Sequence, residues 1–181
     1  MFEKLCCVAA LFAMSSAGRT AEPSASPVPA SVDALNGCWE GQGDVMGKPV
    51  AIAVSAYPIV QNAMVAVEAA SSALADPSDQ YAAHLILGGA GKQAGATPHA
   101  IVGYWADSFG GAFAASGKGE SRPDGFDITY QYPDDAFVNR WRLSGNHLSW
   151  KIVARDGKGI EKPFANYTLH RSSCRPSAPS H

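Results

Sequence analysis

Cysteine is scarce in this chain, and the patterns that mark metal or redox modules are missing. There are four cysteines in 181 residues, and none forms a Cys-x-x-Cys pair. The five histidines, His84, His99, His147, His170 and His181, share no close ligand spacing. Without such spacings no zinc site is expected, and the residues imply no cofactor. No apolar run approaches the roughly 20 residues that a membrane-spanning helix needs. Charge of one sign is also lacking. The formal net charge is -2 and the lysines and arginines are dispersed, so nucleic acid and anionic lipid find no basic patch.

What is present first is an export signal. Met1-Phe2-Glu3-Lys4 supplies a short basic region, and an apolar run of about ten residues from Leu5 to Met14 follows, as in secretory signals. Ser15-Ser16-Ala17 offers small residues for cleavage, which places the signal peptide at 1–17. Residues 18–30 are rich in Pro, Ser and Ala, with Pro23, Pro27 and Pro29, and should form an extended linker. Residues 31–176 are one domain, large enough for a real core, and 177–181 a flexible tail. The expected location is periplasmic or secreted.

Period-two alternation recurs through the domain. Phe126, Ile128, Tyr130 and Tyr132 alternate with polar residues, as do Trp141 and Leu143, then Leu148, Trp150 and Ile152. This is the pattern of half-buried strands. Further strands are expected at 38–43, 50–56, 64–69, 82–87, 100–106, 112–117 and 165–171. The alanine-rich stretch 63–75 has helical composition, but Met64, Val65 and Val67 favour strand in its first half. Pro123-Asp124-Gly125 and Ser144-Gly145-Asn146 are hairpin turns, and Ser31–Asn36 is one helical turn with Ser31 as N-cap.

About ten strands joined by hairpins predict an all-β fold: an antiparallel up-and-down, lipocalin-like barrel with one short N-terminal helix. A two-sheet sandwich is the alternative. Cys38 opens the domain and Cys174 closes it, so in an exported chain they are expected to form a disulfide between the first and last strands. Such a link favours closure.

Two resemblances follow. Leu35-Asn36-Gly37-Cys38-Trp39 and Val102-Gly103-Tyr104-Trp105-Ala106-Asp107-Ser108-Phe109-Gly110 resemble the paired motifs of a bacterial family of unknown function, the 1579 domain-of-unknown-function family. That resemblance implies a lipocalin-like barrel from about Leu35 to Arg171 and no known activity. Gly37-Cys38-Trp39-Glu40-Gly41-Gln42-Gly43 is similar to the opening of nitrobindin-type haem barrels. Those carry a proximal histidine near the end of the last strand. Here 162–167 has none, and His170 falls on the other face from Tyr167 and Leu169.

Ala106-Asp107-Ser108-Phe109-Gly110 is one glycine short of a nucleophile elbow and reads better as a turn capped by Asp107 and Ser108. Gly91-Lys92 lacks the glycine and hydroxyl of a phosphate loop, and Asp134-Asp135 reads as a solvated turn. The aromatics are more informative. Trp39, Trp105, Tyr130, Trp141, Trp150 and Tyr167 lie in expected strands and are the candidate lining of a cavity. The function expected is binding of a small hydrophobic or amphipathic molecule, with no nucleic-acid partner. The alternatives are an enzyme using the same cavity, with Asp107, Ser108 or a histidine as acid–base group, and a filled-barrel envelope interaction domain.

Overall fold

The structure is a computed structural model that describes residues 26–91 and 97–174. The expected signal peptide, Cys6 and Cys7, most of the linker, Lys92 and the tail lie outside the described residues. After one helical turn, α1 (Ala30–Asp33), come β1 (Gly37–Val45), β2 (Lys48–Ile59), β3 (Met64–Ala73), β4 (Gln80–Gly89) and β5 (Ala100–Asp107). A 3-10 turn at Gly111–Phe113 leads to β6 (Ala115–Arg122), β7 (Gly125–Gln131), β8 (Asp135–Ser144), β9 (His147–Asp156) and β10 (Glu161–Ser172). Each strand pairs antiparallel with the next, and β1 pairs with β10, so the sheet is a closed barrel.

Alternation sorts the side chains as expected. Trp39, Val54, Val67, Leu85, Ile128, Trp141, Trp150 and Leu169 point inward and are buried. Arg140, Arg142 and Lys151 lie on the opposite parity, where their charges stay solvated. Cys38 lies opposite Ser172 across the seam, two residues short of Cys174. The two cysteines are bonded, with Cα atoms 5.1 Å apart. A link spanning 136 residues limits the unfolded chain by on the order of 5 kcal/mol in the chain-entropy picture.

Two local expectations need correction, and a third is borne out and extended. Ser31 does not cap the helix. Pro29 holds the N-cap position with no side-chain bond, and Ser31 Oγ meets Ser121 Oγ at 2.8 Å instead. The strand expected at 112–117 starts at Ala115, because Gly110, at φ 96°, turns the chain into the 3-10 segment. The stretch 64–73 is strand throughout, its small alanines and serines packing against β2 and β4. Val28, in the expected linker, already packs on the core.

Candidate functional site

The two ends of the barrel differ. One end carries α1 and is plugged. Val32 and Leu35 are fully buried there, and α1 lies against β6 and β7. Trp39 Nε1 donates to the Leu35 carbonyl at 2.8 Å, and the Arg171 guanidinium lies 4.1 Å from the Trp39 ring centre. Arg171 also donates to the carbonyls of Asn36 (2.7 Å) and Ala34 (3.3 Å), which satisfies the end of the helical turn.

The opposite end, helix-free apart from the 3-10 turn at Gly111–Phe113, is framed by the β1–β2, β3–β4, β5–β6, β7–β8 and β9–β10 connections. Its rim is aromatic. Tyr81, Phe109 and Phe113 follow one another at ring separations of 5.7 and 6.0 Å. Tyr132, Phe137 and Phe164 continue the series at 5.5 and 4.9 Å. The Tyr132 hydroxyl joins the two groups by donating to the Phe113 carbonyl at 3.0 Å.

Asp107 sits inside this rim. Its Oδ2 accepts from the Tyr81 hydroxyl and from Trp105 Nε1, both at 3.0 Å, and its Oδ1 accepts from the Phe109 N–H at 3.0 Å. The last bond is the turn cap expected from the sequence. The first two were missed, although Trp105 and Asp107 stand two residues apart on one face of a strand. Ser108 Oγ takes the Ala82 N–H at 3.4 Å and has no histidine bonded to it among the described residues.

All six candidate aromatics point inward, but they do not form one lining. Trp105, Tyr130, Trp150 and Tyr167 come together. Trp105 meets Tyr130 at 5.4 Å and Trp150 at 6.0 Å, and Trp150 meets Tyr167 at 5.1 Å. Trp141 is stacked between Trp150 (4.1 Å) and Phe126 (5.8 Å). Trp39 belongs to the plugged end. Two inward glycines make room for Tyr130. A Cβ on Gly117 would lie 2.8 Å from its ring, and one on Gly103 would lie 2.9 Å from its hydroxyl.

Polar atoms remain among these rings. Asn139 is fully buried, and its Oδ1 accepts from Trp150 Nε1 at 2.9 Å. The Tyr130 hydroxyl and Trp141 Nε1 are buried without a hydrogen-bond partner. Burial, and then the proximity of Tyr132, raises the Tyr130 hydroxyl far above its ordinary pKa. Burial raises Tyr81 likewise, with the Asp107 charge adding to it, and pushes Tyr167 up to about 12.

Two depressions mark the outside of the barrel. One, of about 660 Å3, is bounded by consecutive residues on β1 to β5, such as Ala53-Val54-Ser55 and Ala82-Ala83-His84. The middle residue of each triplet is buried and points inward, so the flanking side chains and the backbone form a groove on the outer wall. Alanines give it a shallow floor. Glu68 lies beside it, accepting from the Tyr57 hydroxyl at 2.7 Å and standing 3.8 Å from His84 Nδ1. The second, about 360 Å3, lies next to it beside the exposed Tyr104.

His147 and His170 face each other on the outer wall with ring centres 4.7 Å apart, and His99 is exposed in a loop. Among the described residues no three or more His, Cys, Asp or Glu side chains are grouped so as to hold a metal. No described helix is long and apolar enough to cross a membrane.

No family model matches the chain, and no curated protein matches it. Solved structures do. Rv2717c from M. tuberculosis superposes with a TM-score of 0.61 at 16% identity, covering 80% of this chain and 99% of that one. The S-type phycobiliprotein lyase CPES from Guillardia theta superposes with a TM-score of 0.55 at 12% identity, covering 80% of this chain and 92% of that one. At these identities the likeness is one of fold alone, the fold being in this chain a closed ten-stranded barrel.

Proposed function

We propose that this protein is an exported barrel that binds a small hydrophobic or amphipathic molecule, with the helix-free end as its entrance. The observation that carries this is the Tyr130 hydroxyl, 1% exposed and without a hydrogen-bond partner inside an aromatic interior. A buried hydroxyl left unbonded costs about 1–3 kcal/mol, and a ligand with one polar group among apolar atoms removes that cost. Trp105, Trp150 and Tyr167 offer ring surface beside it, and the exposed Phe109 and Phe113 extend that surface to solvent. The fold shared with a phycobiliprotein lyase supports a barrel in this role. The Cys38–Cys174 bond supports an oxidising, extracytoplasmic compartment. The resemblance of residues 35–39 and 102–110 to the paired motifs of the 1579 domain-of-unknown-function family is compatible with this reading.

A second reading is a filled barrel that serves as an envelope interaction domain. It is favoured by the ring-on-ring packing of Phe126, Trp141 and Trp150 and by the groove on the outer wall. The enzyme reading has less support, since Asp107 is engaged by three donors and Ser108 has no base bonded to it among the described residues.

Native mass spectrometry of protein isolated from an extracytoplasmic fraction separates the two main readings. A co-purifying small molecule, with a matching rise in melting temperature when it is added back, is the expected result. Protein of bare polypeptide mass, with no thermal shift across fatty acids, isoprenoids and aromatic metabolites, would leave the interaction domain in front.

A further inference from the structure

The helix-free end has two properties that fit one chemistry. The first is a carboxylate without a counter-ion. Asp107 accepts three hydrogen bonds, yet no lysine, arginine or histidine is ion-paired with it among the described residues. Its surroundings are the rings of Tyr81, Trp105 and Phe109. Tyr81 and Trp105 turn their O–H and N–H edges to the carboxylate, so the attraction for a cation comes from the carboxylate itself, with the exposed ring of Phe109 beside it.

The second property is the surface around the opening. Met46, Leu74, Phe109, Phe113 and Ile160 are each half or more exposed. They stand on four of the five connections at this one end. Exposed apolar side chains gathered at one end mark a contact surface for something apolar. The charges between them are mainly acidic. Asp44, Asp76, Asp79, Asp134, Asp135 and Asp156 face Lys48, Lys158 and Lys162, and Lys48 is already paired with Asp79. Such a rim repels anionic amphiphiles and anionic lipid surfaces, and it draws in cations.

We propose that the ligand is a cation-bearing amphiphile, an amine or quaternary ammonium on an apolar chain, that enters at the helix-free end and sets its charge beside Asp107 and the exposed ring of Phe109. This rests on the ligand-binding reading above and names the ligand class. The chain follows the exposed rim residues inward toward Trp105, and the atom that bonds the Tyr130 hydroxyl is a second polar group, separate from the charge. Uptake of a cation leaves the Asp107 carboxylate paired, which its partly buried position favours.

The test uses the disulfide-bonded protein and three probes of equal chain length below their micelle concentrations: decyltrimethylammonium, decyl maltoside and decanoate. Calorimetry and tryptophan emission report binding. Decyltrimethylammonium is expected to bind about tenfold tighter than decyl maltoside at low salt, with decanoate weakest and added salt narrowing the gap. Asp107→Asn should abolish the preference, read as the ratio of the ammonium and maltoside affinities measured on the same variant. Because that change disturbs a turn cap, Phe109→Ala provides a second variant at an exposed position, expected to weaken the ammonium probe severalfold. Equal affinities for the three probes, or decanoate binding tightest, would overturn the cation assignment and leave the ligand-binding reading standing. If no chain of any charge binds, both fall together.

Discussion

Trp141 on β8 and Trp150 on β9 lie directly opposite each other across the Gly145-Asn146 turn, with ring centres 4.1 Å apart and planes 16° from parallel. A two-residue turn fixes the register, and alternation then sends both indoles inward. Their contact joins Phe126, behind Trp141, to Tyr167, beyond Trp150. The pair is therefore the middle of the interior packing. Trp150→Ala is expected to destabilise by about 3–5 kcal/mol in denaturant unfolding, since it removes a large buried side chain and leaves Asn139 Oδ1 unbonded. A loss below about 1 kcal/mol would show that the stack is not core packing.

The Tyr130 hydroxyl gives a test of opposite sign. With no partner for the hydroxyl, Tyr130→Phe should raise the stability of the unliganded protein by about 1–3 kcal/mol. The same change should weaken binding of a polar-headed ligand. A clear loss of stability in the ligand-free protein would reveal a bonding partner for the hydroxyl.

Gly103→Ala should be costly for a reason that composition does not reveal. The added Cβ would lie 2.9 Å from Leu87 Cδ2 and from the Tyr130 hydroxyl, and close against Ile128 Cδ1. Overpacking of this kind costs about 1–3 kcal/mol. Pairing Gly103→Ala with Ile128→Val should recover part of the loss in chemical denaturation. No recovery would argue against steric conflict as the cause.

Alkaline stability follows from the buried phenols. Tyr81, Tyr130 and Tyr167 are all raised above the ordinary value of 10.0, chiefly by burial, Tyr167 to about 12. Above pH 10 the unfolded chain gives up these protons while the folded protein keeps them. The folded state then binds more protons, so stability falls as pH rises from 10 through about 12. Denaturant unfolding at stepped pH, followed alongside phenolate absorbance, should show that decline with delayed ionisation of part of the tyrosines. A flat profile, with all six tyrosines ionising near pH 10, would contradict it.

The barrel was legible because its information is local. Alternation such as Phe126, Ile128, Tyr130 identifies a strand and its inward face without knowledge of its neighbours. Two cysteines flanking the domain identified the seam. The helix-free end was less legible. Trp39 and Trp150 follow the same alternation, yet one lies under the helical plug and the other in the ring cluster beside Trp105. Which end is plugged depends on where α1 folds back, and no period in the sequence encodes that. The rim joins Met46, Leu74, Phe109 and Ile160, which are far apart along the chain and become neighbours only when the sheet closes. Ser31 was misread because a capping serine and a serine inside the first turn look alike in a six-residue window, whereas the Pro29 backbone decides between them.

The β1–β10 seam also bears on how the protein comes to exist at all. The partner of the first strand is the last one made, and the cysteine that locks it follows even later. Until β10 arrives, β1 and β9 each present a bare row of backbone donors and acceptors, the kind of edge on which chains stick to one another. The domain therefore has no safe half-built form, and its final dozen residues decide whether nine finished strands become a molecule or an aggregate. A chain cut before Glu161 is expected to collect in the insoluble fraction, however good its remaining strands.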